Sequence, residues 1–195
     1  MKPYSVWLSG FVRRWHCNPD LAHTAQTNAQ HQWGCAVLAL HLWPDNHALM
    51  IAALTHDVGE VGIGDVSGPA KWANPTLKDA LDSAEAKNFE SLGLAVPEKT
   101  QELKLIDMLE AYLWAERHAP QVMDRDGWPE MVEDIASLAR HLRVYEKVKG
   151  LLKWQTQVKR RLSKKYAIPS LITLQTGARS VVRATGKLLT WLARS

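Results

Sequence analysis

Prolines 44, 75, 97, 120 and 129 punctuate this 195-residue chain into stretches of helical length, and that punctuation constrains its fold more than any other feature. Proline fixes φ and lacks an N–H, so it suits the first turn of a helix and disfavours helix in the residue before it. The stretches it delimits read as successive helices. A short amphipathic start runs over 4–15, and a second helix over roughly 26–43 is capped by Thr24 or Thr27 and closes before Pro44. A third runs from Pro44-Asp45 to His56-Asp57, and a fourth from Pro75-Thr76 to about Leu92, where Gly93 stops it. A fifth extends from Pro97 to about His118 and a sixth from Pro129 to about Lys147, with weaker candidates at 150–165 and 178–193. Strand-period alternation is nowhere sustained, so the expected class is all-α, without internal repeats.

One of the breaks between helices is chemically loaded. Thr55-His56-Asp57-Val58-Gly59-Glu60, continuing through Gly64 to Asp65, follows the apolar run Ala48 to Leu54 and brings an imidazole and three carboxylates together. Neighbours on a helix point about 100° apart, so His56 and Asp57 can face one ion only if the backbone unwinds or further ligands arrive from elsewhere. Two candidates exist. His31 lies on an apolar helix among Trp33, Cys35, Ala36 and Leu38, and Asp107 lies among Leu105, Ile106, Met108 and Leu109. A carboxylate inside an apolar helix is costly to bury unless something compensates it, and a metal would do so. Two imidazoles and two carboxylates suit Mn, Co, Fe, Ni or Zn rather than Ca. Positions would remain for a water and a substrate oxygen, the arrangement for attack on phosphorus.

Taken singly, these residues have plainer readings. A lone helix histidine is usually a packed, hydrogen-bonded residue, Asp57 could simply end a helix, and Glu60 could be a solvated loop carboxylate. Asp65 could be a turn aspartate before Ser67-Gly68. Glu110, one turn after Asp107 on the same face, has two readings, a residue behind the ligands that supports them or a solvated neighbour, and the second is the simpler. His16, His23, His41, His47, His118 and His141 read as structural or surface residues.

Composition sets the outer bounds. With 46% hydrophobic and 23% charged residues the chain suits one soluble globular domain, and no apolar run approaches the roughly 20 residues of a membrane span. No secretory leader is apparent, so the expected location is the cytoplasm. Cys17 and Cys35 fit no zinc or disulfide framework and read as small buried residues. Charge is unevenly placed. Residues 1–146 hold 12 Lys and Arg against 20 Asp and Glu, whereas 147–195 hold 12 Lys and Arg and no acid. The expected organisation is therefore a domain over 1–146 and a basic helical extension over 147–195, packed on that domain or in an oligomer interface. Within the extension Val181, Leu188 and Leu192 recur at helical spacing, with Arg179, Arg183 and Lys187 on another face. Attraction between the acidic and basic parts favours a homo-oligomer, with no membrane and no nucleic acid as expected partners.

The order His31, His56-Asp57, Asp107 resembles the HD-domain metal-dependent phosphohydrolases. Arg14-Trp15, the run Gln26 to His31, and the stretch from His56 through Glu60, Asp65 and Pro69 to Lys71-Trp72 are similar to the HD-domain 5'-deoxyribonucleotidases and to related phage triphosphohydrolases acting on dATP. The likeness covers roughly residues 10–118. It implies an all-α HD-domain helical bundle with additional C-terminal helices, in which His31, His56, Asp57 and Asp107 hold a divalent transition metal (Co, Mn, Zn or Fe). Additional Mg or Mn would accompany a triphosphate. Glu60 would orient or deprotonate the attacking water, and Asp65 would contact the sugar or assist proton transfer. Arg14 and Lys71 would bind phosphate, and Trp15 would leave no room for a 2'-hydroxyl. The implied reaction is cleavage at the 5' phosphoester of a deoxynucleotide, either a dNTP, dATP foremost, releasing triphosphate, or a dNMP. Two other branches of the superfamily fit less well. Cyclic-dinucleotide phosphodiesterases would show a downstream Gly-Tyr-Pro, and guanosine tetraphosphate hydrolases an Asp where Val61 stands. A reading from another class is a nucleic-acid-binding module with a vestigial site and a working basic tail.

Overall fold

The computed structural model describes residues 4–124 and 127–152. Its helices are α1 (Tyr4–Leu8), α2 (Asn28–Leu42), α3 (His47–Thr55), α4 (Gly68–Ala73), α5 (Pro75–Leu92), α6 (Gln101–His118) and α7 (Trp128–His141), with residues 145–152 also helical. Short 3-10 turns occur at Ser9–Phe11, Ala22–Thr24, Val58–Glu60 and Pro120–Val122. Among the described residues there is no β-strand, only one isolated antiparallel bridge between Arg13 and Thr27. The protein is all-α, as its sequence pattern requires.

Local chemistry sets most helix ends. Thr27 caps α2 by a reciprocal box with Gln30, so both orphan N–H groups at that end are satisfied. Asn46, Asn74 and Thr100 cap α3, α5 and α6 with side-chain oxygens that accept from the third residue onward. Gly93 ends α5 in the left-handed conformation at φ 70°, a position glycine occupies without a Cβ penalty. Because Asn46 and Thr100 are the better caps, α3 and α6 begin later than Pro44 and Pro97 suggest.

Three boundaries differ more substantially from the sequence reading. The first helix stops at Leu8 and its following turn at Phe11, rather than running to Trp15. The reason is long-range: the Arg14 N–H donates to the Gln26 carbonyl and the Asn28 N–H to the Val12 carbonyl, both at 2.9 Å, drawing residues 12–14 into an extended path along the start of α2. The sixth expected helix breaks at His141, where Arg143 adopts φ 60° and the Val144 N–H turns back to the Ala139 carbonyl, before helix resumes over 145–152. Finally, the loop around Ser67-Gly68-Pro69 contains α4. Beyond residue 152, the candidate helices at 150–165 and 178–193 lie outside the described residues.

The largest core lies where α2, α3, α6 and α7 meet, with Leu38, Ala39 and Leu42, Leu49 and Ala53, Leu105, Ile106 and Leu109, and Ile135 and Ala139 buried there. Val144 and Val148 close its edge. Burying each large aliphatic side chain contributes about 1.5–3 kcal/mol. That makes α2 and α6 rigid neighbours. A smaller cluster of Leu21, Ala115, Ala119, Val122 and Trp128 sits at the C-terminal end of α6, and Trp15 packs against it. No helix among the described residues is long and apolar enough to cross a membrane.

Candidate metal centre and substrate cleft

Four donor-bearing side chains converge from three helices. His31 is fully buried on α2, His56 follows the last residue of α3, Asp57 lies just beyond it, and Asp107 projects from α6. Helical backbone ends at Thr55, and Asp57 has φ −100° and ψ 7°, so the chain unwinds between the histidine and the aspartate. Their side chains can then point the same way. His31 Nε2 lies 3.2 Å from His56 Nε2, 3.1 Å from Asp107 Oδ1 and 3.6 Å from Asp57 Oδ2, which is itself 3.4 Å from His56 Nε2.

These spacings fit one ion. Donors about 2.1 Å from a metal stand about 3.0 Å apart on an octahedron and about 3.4 Å apart on a tetrahedron. Tautomers point the same way. The His31 Nδ1–H donates to Glu110 Oε2, and the His56 Nδ1–H donates to the Ala53 carbonyl at 2.9 Å. Each ring is left presenting Nε2 to the other, an opposition that needs a proton or a cation between them. The charge states agree. Burial and the Arg14 charge push His31 down, but hydrogen bonds to Asp107, Cys35 and Glu110 outweigh them and raise it well above an ordinary histidine. Burial pushes Asp57 up, yet the charges of His56, Arg14 and His31 hold it below the usual carboxylate range. Asp107 is likewise held low, against burial, by its hydrogen bond to His31 and the neighbouring positive charges, and 45% of its side chain stays open on the cleft side.

Cys35 also enters the cluster. It is buried, as the sequence suggests, whereas Cys17 is exposed; the Cys35 Sγ lies 3.6 Å from His31 Nε2, and donor atoms of His31, Cys35, His56 and Asp107 all fall within 4.8 Å of one another. Burial pushes this thiol up to about 12, so it remains protonated where the two carboxylates are already ionised. The carboxylates are the better match for a hard or borderline cation.

Glu60 is buried in the Val58–Glu60 turn. Its Oε2 accepts from Asn28 Nδ2 at 2.8 Å, and the same Asn28 amide also reaches the Asp57 carbonyl at 3.3 Å. Burial, then the negative charges of Asp57 and Asp65, raise the Glu60 carboxyl from 4.5 to about 8, against the opposing Asn28 bond and Arg14 charge. Asp65, in the loop after Gly64, is thus close enough to act on Glu60 through its charge.

The three expected substrate-binding side chains come from two different parts of the chain, the segment before α2 and helix α4. Arg14 Nη1 donates to Asp57 Oδ2 at 2.9 Å, while its Nε is buried with no hydrogen-bond partner among the described residues. Trp15 adopts φ 61° and its Nε1–H donates to Gln26 Oε1 at 2.6 Å, with Trp128 at 6.1 Å between ring centres. Lys71 on α4 lies 3.9 Å from Glu85 of α5. Two further lysines are engaged elsewhere: Lys78 pairs with Asp82, and Lys104 lines a groove of about 400 Å³ with Met108, Asp134 and His141.

Sequence reasoning missed the residues that hold these groups in place. Glu110 is buried against His31, not solvated, and its other oxygen accepts from Gln26 Nε2 at 2.8 Å. Gln26 and Asn28 are both fully buried, on either side of the capping Thr27. Polar residues flanking a capping box just ahead of a candidate ligand are the signal that could have marked them.

With this geometry in view, comparisons with known proteins identify the class. A family model described as 5'-deoxynucleotidase YfbR-like matches residues 10–145, and the chain belongs to that family. It is also similar to the dATP triphosphohydrolase of Salmonella phage PMBT28, with 31% identity over 135 residues, covering 60% of this chain and 68% of the phage protein. No solved structure matches. The protein is an HD-domain, metal-dependent hydrolase acting on deoxynucleotides.

Proposed function

We propose that the protein hydrolyses the 5' phosphoester of a deoxynucleoside triphosphate, dATP foremost, releasing deoxynucleoside and triphosphate. The observation that carries the chemistry is the convergence of His31, His56, Asp57 and Asp107 within metal-ligand spacing beside a buried Glu60. Likeness to the phage dATP triphosphohydrolase supports the substrate. Those four side chains would hold a divalent transition ion such as Co, Mn, Zn or Fe. When bound, it supplies Lewis-acid polarisation of water and of a phosphoryl oxygen.

The remaining steps belong to the protein. Asn28 occupies Glu60 Oε2, which leaves Oε1 to take a proton from the attacking water. The Glu60 carboxyl, raised to about 8 without an ion, would be returned to the ionised form by the charge of a bound cation and would then hold the water's proton more firmly than an ordinary glutamate. Asp65 would tune Glu60 by its charge and contact the sugar or assist proton transfer. The Arg14 guanidinium and the Lys71 ammonium would be the donors for phosphate oxygens. Trp15, fixed at its indole nitrogen, is the wall that leaves no space for a 2'-hydroxyl.

Action on deoxynucleoside monophosphates is the second reading, favoured by the family model's description. Additional Mg or Mn would accompany only the triphosphate. The deciding experiment screens all four dNMPs and dNTPs with Mn, Co, Mg and Zn, resolving products by chromatography. Triphosphate and deoxyadenosine from dATP support the first reading. Orthophosphate from dNMPs without triphosphate from any dNTP selects the second, and full activity in excess EDTA removes both. We also read the protein as a homo-oligomer located in the cytoplasm. Trp33, Val37 and Leu40 form an exposed apolar stripe along α2, with Ile51 and Leu54 exposed on α3, and such stripes are normally covered.

A further inference from the structure

We propose that Gln26 is a positioning residue that couples the substrate wall to the metal centre, through the hydrogen-bonded chain Trp15, Gln26, Glu110, His31. The inference rests on the roles assigned above to Trp15 and His31 and adds a physical link between them.

Each bond in the chain has only one possible direction. The indole Nε1–H of Trp15 can only donate, and it gives its hydrogen to Gln26 Oε1 at 2.6 Å. An amide NH2 can only donate, so Gln26 Nε2 gives its hydrogen to Glu110 Oε1 at 2.8 Å, and the second oxygen, Oε2, accepts from His31 Nδ1. Only a side chain with a donor and an acceptor on one planar group, at this reach, satisfies both neighbours. Glutamine does so. A glutamate would set a second carboxyl against Glu110, and an apolar residue of the same size would leave the half-buried Trp15 indole and the buried Glu110 partly unpaired.

The packing around the chain supports it specifically. Gln26 and His31 are fully buried and Glu110 nearly so, where unpaired polar atoms are expensive. Gly34, one turn beyond His31 on α2, leaves the gap that Glu110 fills: a Cβ there would stand 2.8 Å from Glu110 Cγ and 3.1 Å from its Oε1. The Arg14 N–H also donates to the Gln26 carbonyl, so the residue grips the Arg14-Trp15 segment by its backbone as well as its side chain. Trp15 meanwhile has a left-handed φ of 61°, uncommon for a bulky residue and kept only where its surroundings hold it. A change in the hydrogen bond that His31 makes through Nδ1 is therefore passed to the ring that faces the sugar.

The test uses full-length protein labelled with 15N at tryptophan. Trp15→Phe assigns the Trp15 indole signal, and Zn2+ is titrated into metal-free protein. In the wild type, Zn2+ is expected to shift that signal. In Gln26→Met the shift should vanish, Zn2+ affinity measured against a chelating dye should fall roughly 10- to 100-fold, as for other outer-shell partners of a ligating histidine, and the ratio of deoxy- to ribonucleotide kcat/KM should drop. A packing role alone would lower thermal stability without moving the indole response. Should Gln26→Met fail to fold, Glu110→Gln keeps the shape and breaks the same path, so its Trp15 signal should likewise ignore Zn2+. An undiminished Trp15 response, or unchanged Zn2+ affinity and sugar ratio, in the folded variant overturns the coupling. Failure of the wild type to bind Zn2+ at all would instead overturn the metal assignment beneath it.

Discussion

Glu60 is asked to stay buried and yet to exchange a proton, and its surroundings make those demands compatible by raising its carboxyl to about 8. Replacing it by glutamine keeps the Asn28 contact while removing the base, so kcat is expected to fall about 100-fold or more with the metal still bound, measured by turnover and metal content together. An unchanged rate would move the base to Asp65. The same shift has a stability signature in chelator-treated protein. Because the folded-state pKa lies above the unfolded one, the folded chain keeps its proton from pH 4.5 to about 8 while the unfolded chain releases it. Stability from this group is complete below 4.5 and is lost as pH rises through about 8. Glu60→Gln lacks that loss, so its stability relative to wild type should increase across this interval in urea melts. A flat difference would mean that the carboxyl is not raised.

Helices α2 and α6 approach closely only because of what is missing at Gly34. Gly34→Ala would drive a Cβ into Glu110 at 2.8 Å, and overpacking of this kind costs about 1–3 kcal/mol. Calorimetry should show a lower Tm, and metal affinity should fall with it because Glu110 orients His31. If Tm and affinity both stay at wild-type values, the two helices are less tightly held than their geometry indicates. Legibility in the sequence follows the same division between local and distant causes. Helix α5 could be read from Pro75 to Gly93 because its cap and its terminator are local residues. The break at Val12 to Trp15 could not, since it is imposed by Gln26 and Asn28 across the chain, and the stop near Arg143 carries neither glycine nor proline. His31, His56, Asp57 and Asp107 were readable as a set because imidazoles and carboxylates on otherwise apolar stretches call for a shared partner, although Asp107 keeps 45% of its side chain open. Glu110 was not, because its spacing of three from Asp107 fits a solvated pair as well as an inward-facing one, and only the crossing of α2 over α6 decides between them.

At the scale of the whole chain, the acidic residues 1–146 and the basic residues 147–195 should attract each other, and we expect that attraction to hold a homo-oligomer together. Truncation after Lys165 should then reduce the mass seen by light scattering, and added salt should weaken the full-length assembly. A truncated protein of unchanged mass that has lost salt-sensitive DNA binding would promote the nucleic-acid reading instead. The bond between His31 and Glu110 spans 79 residues of sequence, and the side chains proposed to grip the ion come from α2, α6 and the end of α3. Those elements also build the largest core, so no part of the chain can open widely there and still keep hold of the ion. Metal binding then becomes a brake on global unfolding: at a hundred times Kd it adds about 2.7 kcal/mol to the native state. In hydrogen-exchange terms the slowest amides of the core, including those on α7 that lie off the site, should exchange about a hundredfold more slowly once the ion is in place.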